Sequence, residues 1–99
     1  MLMIAGHIRT DPSAARELAD DLRAGIERTR GEDGCLFYSF ALDDEAAGTV
    51  LVLERWRDEA SLAAHLSAPE IASLLGKWQG RIALEVSKFD LSNERGMAD

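Results

Sequence analysis

Apolar residues recur at every third or fourth position between Ala15 and Thr29, and charged residues fill most of the positions between them. This spacing predicts one amphipathic helix of about four turns. Asp11 can cap its first turn, Pro12 suits the first helical position, and the segment 31–34, with a glycine at each end, terminates it. The predicted buried stripe consists of Ala15, Leu18, Ala19, Leu22, Ile26 and Thr29.

Runs rich in apolar, aromatic and β-branched residues predict four strands. They cover residues 1–9, 35–42, 49–56 and 82–91. The acidic and small residues 43–48 are typical of a hairpin loop, which would join the second strand to the third.

A second helical region follows the third strand. Asp58 can cap it, and Leu62, His65 and Leu66 share one face before Pro69 interrupts the helix. An apolar face resumes beyond the break at Ile71, Leu74, Leu75 and Trp78. The element order βαββαβ predicts an α+β, ferredoxin-like fold in which an antiparallel sheet carries two helices on one face.

The second and third strands lack the apolar–polar alternation of a sheet with one wet face. In 35–42, Phe37 and Ala41 share one face while Tyr38 and Phe40 share the other, so both faces are largely apolar. Two helices can cover only one of them. We therefore expect a homodimer in which a second copy, related by a two-fold axis, covers the open sheet face.

Size and charge limit the classes of partner. The chain has 99 residues, enough for one domain, which we assign to residues 1–91 with a polar tail at 92–99. Its net charge of −7 disfavours nucleic acid and anionic membranes, and no apolar run approaches the roughly 20 residues of a membrane span. The start of the chain lacks the features of a signal peptide, and the single cysteine, Cys35, cannot pair within the chain, so a cytoplasmic location is expected.

Motifs for metals and nucleotide cofactors are not apparent. The two histidines, His7 and His65, lie on different elements, and neither has a second ligand at helical or turn spacing. The glycines of 31–34 and 76–80 match neither a dinucleotide-binding nor a P-loop pattern. We therefore expect no metal and no cofactor, a packed thiol at Cys35, and a structural or edge role for His7.

One cluster of side chains remains as a candidate site. His65 lies on the helix after Trp56, and the strand of Trp56 pairs with the strand of Tyr38 and Phe40. One interpretation is a half-buried histidine satisfied by a single hydrogen bond, from Glu54 or Tyr38. The other is a titratable imidazole in an apolar cleft, able to take or give a proton near neutral pH. Trp56 and Tyr38 would then be either core aromatics or the lining of a pocket for a flat substrate.

This arrangement resembles the antibiotic biosynthesis monooxygenase family. The resemblance covers nearly the whole chain, residues 1–91, and rests on Gly34-Cys35 with Tyr38, on the Glu54-x-Trp56 pair, and on Ala64-His65-Leu66 before Pro69. It implies a two-fold dimer whose sheets form an α+β barrel, with a pocket in each subunit between sheet and helices. Several members oxidise quinols or anthrone-like phenols with molecular oxygen and use neither metal nor flavin.

The resemblance also implies roles for particular residues. His65 would manage a proton, while Trp56 and Tyr38 would position the substrate ring. The other expected pocket residues are Phe40, Val52, Glu54, Leu62, Leu66 and Leu75. The implied activity is a cofactor-independent monooxygenase acting on a small quinol or polycyclic phenol. The alternatives are a non-catalytic dimeric barrel that binds a hydrophobic metabolite, and an oxygen-independent isomerase with His65 as its base.

The chain departs from the patterns of three branches of the family. Polyketide-tailoring members carry asparagine where this chain has Val52, and some quinol-oxidising members carry a second histidine where it has Glu70. The haem-degrading branch places its asparagine, tryptophan and haem-ligating histidine at the positions of His7, His65 and Leu75. Haem degradation is therefore disfavoured, and the first two departures favour the binding alternative.

Overall fold

The chain folds into four strands and four short helices. A computed structural model describes all of residues 1–99. A 3-10 turn, Pro12–Ala14, precedes the first helix, and none of the helices has the length and apolar character needed to cross a bilayer. The strands are β1 Leu2–Thr10, β2 Cys35–Asp44, β3 Thr49–Trp56 and β4 Ile82–Asp90. The helices are α1 Ala15–Ala24, α2 Ile26–Arg30, α3 Glu59–Leu66 and α4 Pro69–Trp78.

The four strands form one antiparallel sheet in the order β2-β3-β1-β4. β1 is therefore a central strand, in which Leu2 pairs with Trp56 on one side and with Asp90 on the other. This topology confirms the ferredoxin-like α+β fold that the element order predicted.

The first helical segment is broken in two, where the apolar pattern predicted one continuous helix. Gly25 has φ −94° and ψ 1°, and its N–H bonds to the carbonyl of Arg23, so the regular hydrogen-bond ladder stops there. Glycine costs roughly 0.5–1 kcal/mol relative to alanine inside a helix, which makes it a natural break point. The second interruption lies between α3 and α4, immediately before Pro69, as predicted.

The core lies between the helices and one face of the sheet. α1 contributes Leu18 and Leu22, and the sheet contributes side chains such as Val50 and Trp56. Trp78 closes the far end of α4, where its Nε1 donates a hydrogen bond of 2.9 Å to an Asp21 carboxylate oxygen. This bond satisfies a buried indole N–H and ties α4 to α1.

The backbone of β4 leaves no room for a side chain at Gly6 of β1. This residue has φ 146°, a conformation that side chains other than glycine rarely adopt. A Cβ atom at this position would lie 2.2 Å from the carbonyl oxygen of Glu85 and 2.8 Å from the Cα of Val86. The pairing of the two strands therefore depends on the absence of a side chain here.

The face of the sheet away from the helices carries exposed apolar side chains. Phe37, Leu51 and Phe89 have 43%, 45% and 46% of their surface exposed. His7 lies on this face too, with its Nε2 3.3 Å from an Asp43 carboxylate oxygen, and Arg9 pairs with Glu85 nearby. We refer to this surface as the open face.

Candidate functional site

His65 lies on α3, and the turn that joins β3 to α3 sets its position. Oδ1 of Asp58 accepts a hydrogen bond of 2.8 Å from the N–H of Ser61, which starts α3 directly after the strand and folds it back over the sheet. The His65 side chain is only 3% exposed. Its ring centroid lies 4.7 Å from that of Trp56, with the planes tilted by 33°.

The hydrogen-bond partner of His65 is Glu32, in the loop between α2 and β2. Nδ1 of His65 lies 3.0 Å from Oε2 of Glu32, and Arg28 donates a bond of 2.9 Å to the other carboxylate oxygen. The sequence indicated Glu54 or Tyr38 as the partner, and that was wrong. A carboxylate in this place favours the tautomer with hydrogen on Nδ1, so Nε2 is the nitrogen that can take up a proton.

Glu54 instead holds the tryptophan. Nε1 of Trp56 donates a hydrogen bond of 2.9 Å to Oε1 of Glu54, and both side chains are buried. Burial raises the pKa of the Glu54 carboxyl above its ordinary 4.5, and the negative charge of Glu32 adds to the rise. The Trp56 bond and a positive charge on His65 oppose it.

A Glu54→Gln variant is expected to lose part of the pH dependence of folding stability that the native protein has. A carboxyl with a raised folded-state pKa binds its proton more firmly when folded, so its contribution to stability is full below pH 4.5 and disappears as pH rises through the folded pKa. The glutamine can still accept from Trp56. Urea unfolding at a series of pH values should give a flatter stability curve above pH 4.5 for this variant.

The matched control for this experiment is Glu59→Gln. Glu59 is an exposed glutamate paired with Lys88 on the surface. It should follow the native curve, and a Glu54→Gln curve parallel to the native one would contradict a buried, titrating Glu54.

Tyr38 joins the cluster to a cleft between the helices. Its ring lies edge-on to His65, with centroids 5.3 Å apart and planes at 71°, and edge-on to Phe40 at 4.9 Å. Burial raises the pKa of the Tyr38 phenol far above its ordinary value, assisted by the charge of Glu54, so the hydroxyl stays protonated. Tyr38 also lines a cleft of about 400 Å³ between α1, α2 and α4, which we call the α1–α4 cleft.

The remaining predicted pocket residues fall into two groups. Phe40, Val52 and Leu62 are buried in the core beside the cluster, whereas Leu66 and Leu75 are exposed on the outer surfaces of α3 and α4. Leu75 lines a separate depression that it shares with Leu84 of β4. The structure thus brings His65, Trp56, Tyr38 and Glu54 together and leaves Leu66 and Leu75 outside.

Two further residues of the cluster were not singled out from the sequence. Glu32 carries the hydrogen bond to His65, and Thr29 of α2 is fully buried in the α1–α4 cleft next to Tyr38. In the sequence, Thr29 appeared only as the last residue of an apolar stripe. A hydroxyl is unusual in such a stripe, and this was the feature that could have pointed to Thr29.

Cys35 is half-buried at the start of β2, where burial raises the pKa of its thiol.

The sequence profile of the family described as antibiotic biosynthesis monooxygenase matches residues 1–74. An uncharacterized protein of Synechocystis sp. is 34% identical over 68 residues, which cover 69% of this chain and 46% of that protein. The chain therefore spans about half the length of that relative.

Two other relatives match along most of their length. The "Putative monooxygenase YcnE" of Bacillus subtilis is 22% identical over 94 residues, covering 93% of this chain and 99% of that protein. The crystal structure of a "putative antibiotic biosynthesis monooxygenase" from Deinococcus radiodurans superposes with a TM-score of 0.84 at 21% identity, covering 98% of both chains. At that level of identity the superposition supports the fold.

Proposed function

The chain belongs to the antibiotic biosynthesis monooxygenase family, and from this premise we propose that it oxidises a small quinol or anthrone-like polycyclic phenol with molecular oxygen, without metal or flavin. The observation that carries the proposal is the Glu32–His65 pair, packed against Trp56 and Tyr38. A histidine whose Nδ1 is held by a carboxylate is a standard form of general base.

The proposed chemistry needs one base and a shaped apolar site. His65 takes a proton from the substrate phenol through Nε2, and the electron-rich anion that remains reduces oxygen directly. For an anthrone-like CH₂ group, a carbon–oxygen bond forms to give a hydroperoxide, and the oxygen–oxygen bond then breaks. One oxygen atom stays in the new carbonyl, and the other leaves as water with the two hydrogens that the carbon lost. The substrate supplies all four electrons that reduce the two oxygen atoms, two for the carbonyl oxygen and two for the water. The protein therefore contributes positioning of the substrate, exclusion of water and proton transfer.

Tyr38 lies between the α1–α4 cleft and His65, and in this proposal the substrate reaches His65 past it. It is the residue of the cluster that lines the α1–α4 cleft and also contacts the imidazole. In this proposal the ring of the substrate lies in the cleft against Tyr38, and a rotation of the Tyr38 side chain exposes His65 to the substrate hydroxyl.

Oxygen uptake tests the proposal. Chelator-treated protein would be mixed with a panel of dihydronaphthoquinols and anthrones, and the rate corrected for spontaneous oxidation. We expect protein-dependent uptake of one oxygen molecule per substrate without hydrogen peroxide, and one labelled atom in the product from isotopic oxygen. Uptake equal to the spontaneous rate throughout the panel would refute the proposed activity.

The burial of the cluster favours one alternative, a binding protein without turnover. His65 and Trp56 are almost entirely enclosed, and Trp56 has no exposed surface. Aromatic ligands would then raise the melting temperature without any oxygen consumption. An isomerase that uses His65 as its base would instead convert its substrate equally well under nitrogen.

We also infer that a second copy of the chain covers the open face. Phe37, Leu51 and Phe89 expose apolar surface there, and a chain of 99 residues buries a limited core by itself. A self-complementary patch joined by a two-fold axis is the commonest way to cover such a surface.

A Leu51→Glu variant is expected to dissociate this dimer, because it places a charge in the middle of the shared apolar surface. Sedimentation velocity should show the native protein at twice the chain mass and the variant at the chain mass. Leu66→Glu, at an exposed leucine on the helix side, is the control and should stay dimeric. A native protein that sediments as a monomer would overturn the inference.

A further inference from the structure

The α1–α4 cleft combines apolar walls with one unusual polar group. Leu22, Ile71 and Leu74 contribute apolar walls, and Tyr38 of β2 lines the cleft beside them. Its volume of about 400 Å³ lies within the range of roughly 300–1,000 Å³ that is usual for small-molecule sites. The size and the lining suit one small aromatic molecule.

The unusual group is the hydroxyl of Thr29. Thr29 is 0% exposed, and its Oγ1 is the one buried side-chain oxygen or nitrogen in the chain that has no hydrogen-bond partner. The Thr29 hydroxyl is near enough to the Tyr38 phenol to lower the pKa of that phenol against the effect of burial, yet no hydrogen bond of ordinary geometry joins the two groups. Native proteins rarely leave a buried hydroxyl unpaired, and an orphan of this kind in a cleft indicates a missing partner.

The charged groups at the rim of the cleft are already paired with one another. Arg28 donates to Glu32 at 2.9 Å and lies 3.7 Å from Glu70, and Lys77 lies 2.7 Å from Asp21. No unpaired cation is left over to attract a carboxylate or a phosphate. The chain also has a net charge of −7, which repels anions at long range.

We propose that the α1–α4 cleft binds an uncharged aromatic molecule with a hydroxyl or carbonyl oxygen at its edge, and that Thr29 is the residue that recognises this oxygen. The inference rests on the proposed function, since it identifies the substrate of the same site as a neutral quinol or anthrone rather than an aromatic acid. A hydroxyl both donates and accepts, so Thr29 can pair with either the phenol or the carbonyl form of the ligand. The neutral Tyr38 phenol, adjacent to Thr29, can serve as a second contact.

Calorimetric titration under nitrogen with three unreactive probes tests the proposal. The probes are naphthalene, 1-naphthol and 1-naphthoate, which share one ring system and differ in the edge group. The native protein should bind 1-naphthol most tightly. Thr29→Val keeps the shape of the side chain and removes its hydroxyl, so it should weaken 1-naphthol binding by about three- to tenfold and leave naphthalene binding unchanged.

The same variants should separate recognition from a structural role. Thr29→Val removes an unpaired buried oxygen and should keep or raise the melting temperature. Thr10→Val is the matched control, because the buried Thr10 hydroxyl donates a bond of 2.9 Å to the carbonyl of Arg81. That variant should melt at a lower temperature and bind 1-naphthol normally. Ser73→Trp, at the cleft and exposed on α4, should block all binding.

Several outcomes would overturn the inference. The first two are no binding of 1-naphthol to the native protein, and binding of 1-naphthoate as tight as that of 1-naphthol. The third is an equal effect of Thr29→Val on the binding of 1-naphthol and of naphthalene. The fourth is a loss of stability in Thr29→Val as large as that in Thr10→Val. Because no probe is oxidised, these results are independent of oxygen uptake. Selective binding without oxygen uptake would support the inference and refute the proposed activity. Oxygen uptake without Thr29-dependent binding would support the proposed activity and refute the inference.

Discussion

The His65→Ala variant is expected to consume oxygen roughly 10²–10⁴ times more slowly than the native protein, the range that general-base catalysis usually supplies. The reason is that His65 is the proposed acceptor of the phenolic proton, since the Tyr38 phenol is protonated and the Glu54 carboxylate already accepts a hydrogen bond from Trp56. The measurement is the initial rate of oxygen uptake with the best substrate of the panel, corrected for spontaneous oxidation.

Glu32→Gln gives a second test that does not enlarge a cavity. The glutamine can still meet Nδ1 of His65 but lacks the charge that stabilises the imidazolium, so we expect an intermediate loss of rate with an unchanged melting profile. Glu45→Gln is the control, because Glu45 forms an exposed pair with Arg16 far from the cluster. A folded His65→Ala protein with the native rate would exclude the proton role.

The Gly6→Ala variant is expected to be less stable by about 3 kcal/mol or more, a large share of the 5–15 kcal/mol that holds an ordinary domain together. Alanine would have to adopt φ 146°, and its Cβ would meet the Glu85 carbonyl at 2.2 Å. The oxygen belongs to the backbone of β4 and the Cβ is bonded directly to the backbone of β1, so neither can move without loss of the β1–β4 ladder. The measurement is the free energy of unfolding from urea titration.

Gly76→Ala is the matched control for this substitution. Gly76 lies within α4, and a Cβ there would meet no atom within 4 Å. We expect it to stabilise the protein by about 0.5–1 kcal/mol, because alanine is the better helix former. Equal effects of the two substitutions would show that the close approach of β1 and β4 is not a constraint in solution.

Much of the fold could be predicted because its determinants are local in sequence. The period of Leu18 and Leu22, the cap at Asp58 and the break at Pro69 each act within a few residues, and they fix the element order. The break at Gly25 was missed since a glycine within an apolar stripe is compatible with either a continuous or a divided helix. In the structure α2 packs against β2, a contact that favours the divided helix and that the local sequence pattern does not indicate.

The contacts of the candidate site were predictable where the residues lie close together along the chain. His65 and Trp56 lie on consecutive elements joined by a tight turn, so their contact follows from the βα connection. Glu32 and Thr29 reach the cluster from a more distant part of the chain, the loop before β2 and α2. Their positions depend on the direction of α2 after Gly25, which the sequence pattern did not supply.

The central position of β1 also affects the order in which the sheet can form during synthesis. Of the four strands, β1 leaves the ribosome first, and β4, whose Asp90 pairs with Leu2, leaves it last. Until then one edge of β1 has no strand beside it, and its free N–H and C=O groups can pair with any neighbouring nascent chain. Closing this longest loop of the fold is also a late and slow step. The edge of β1 that receives β4 is therefore open to other chains until the last strand has been made.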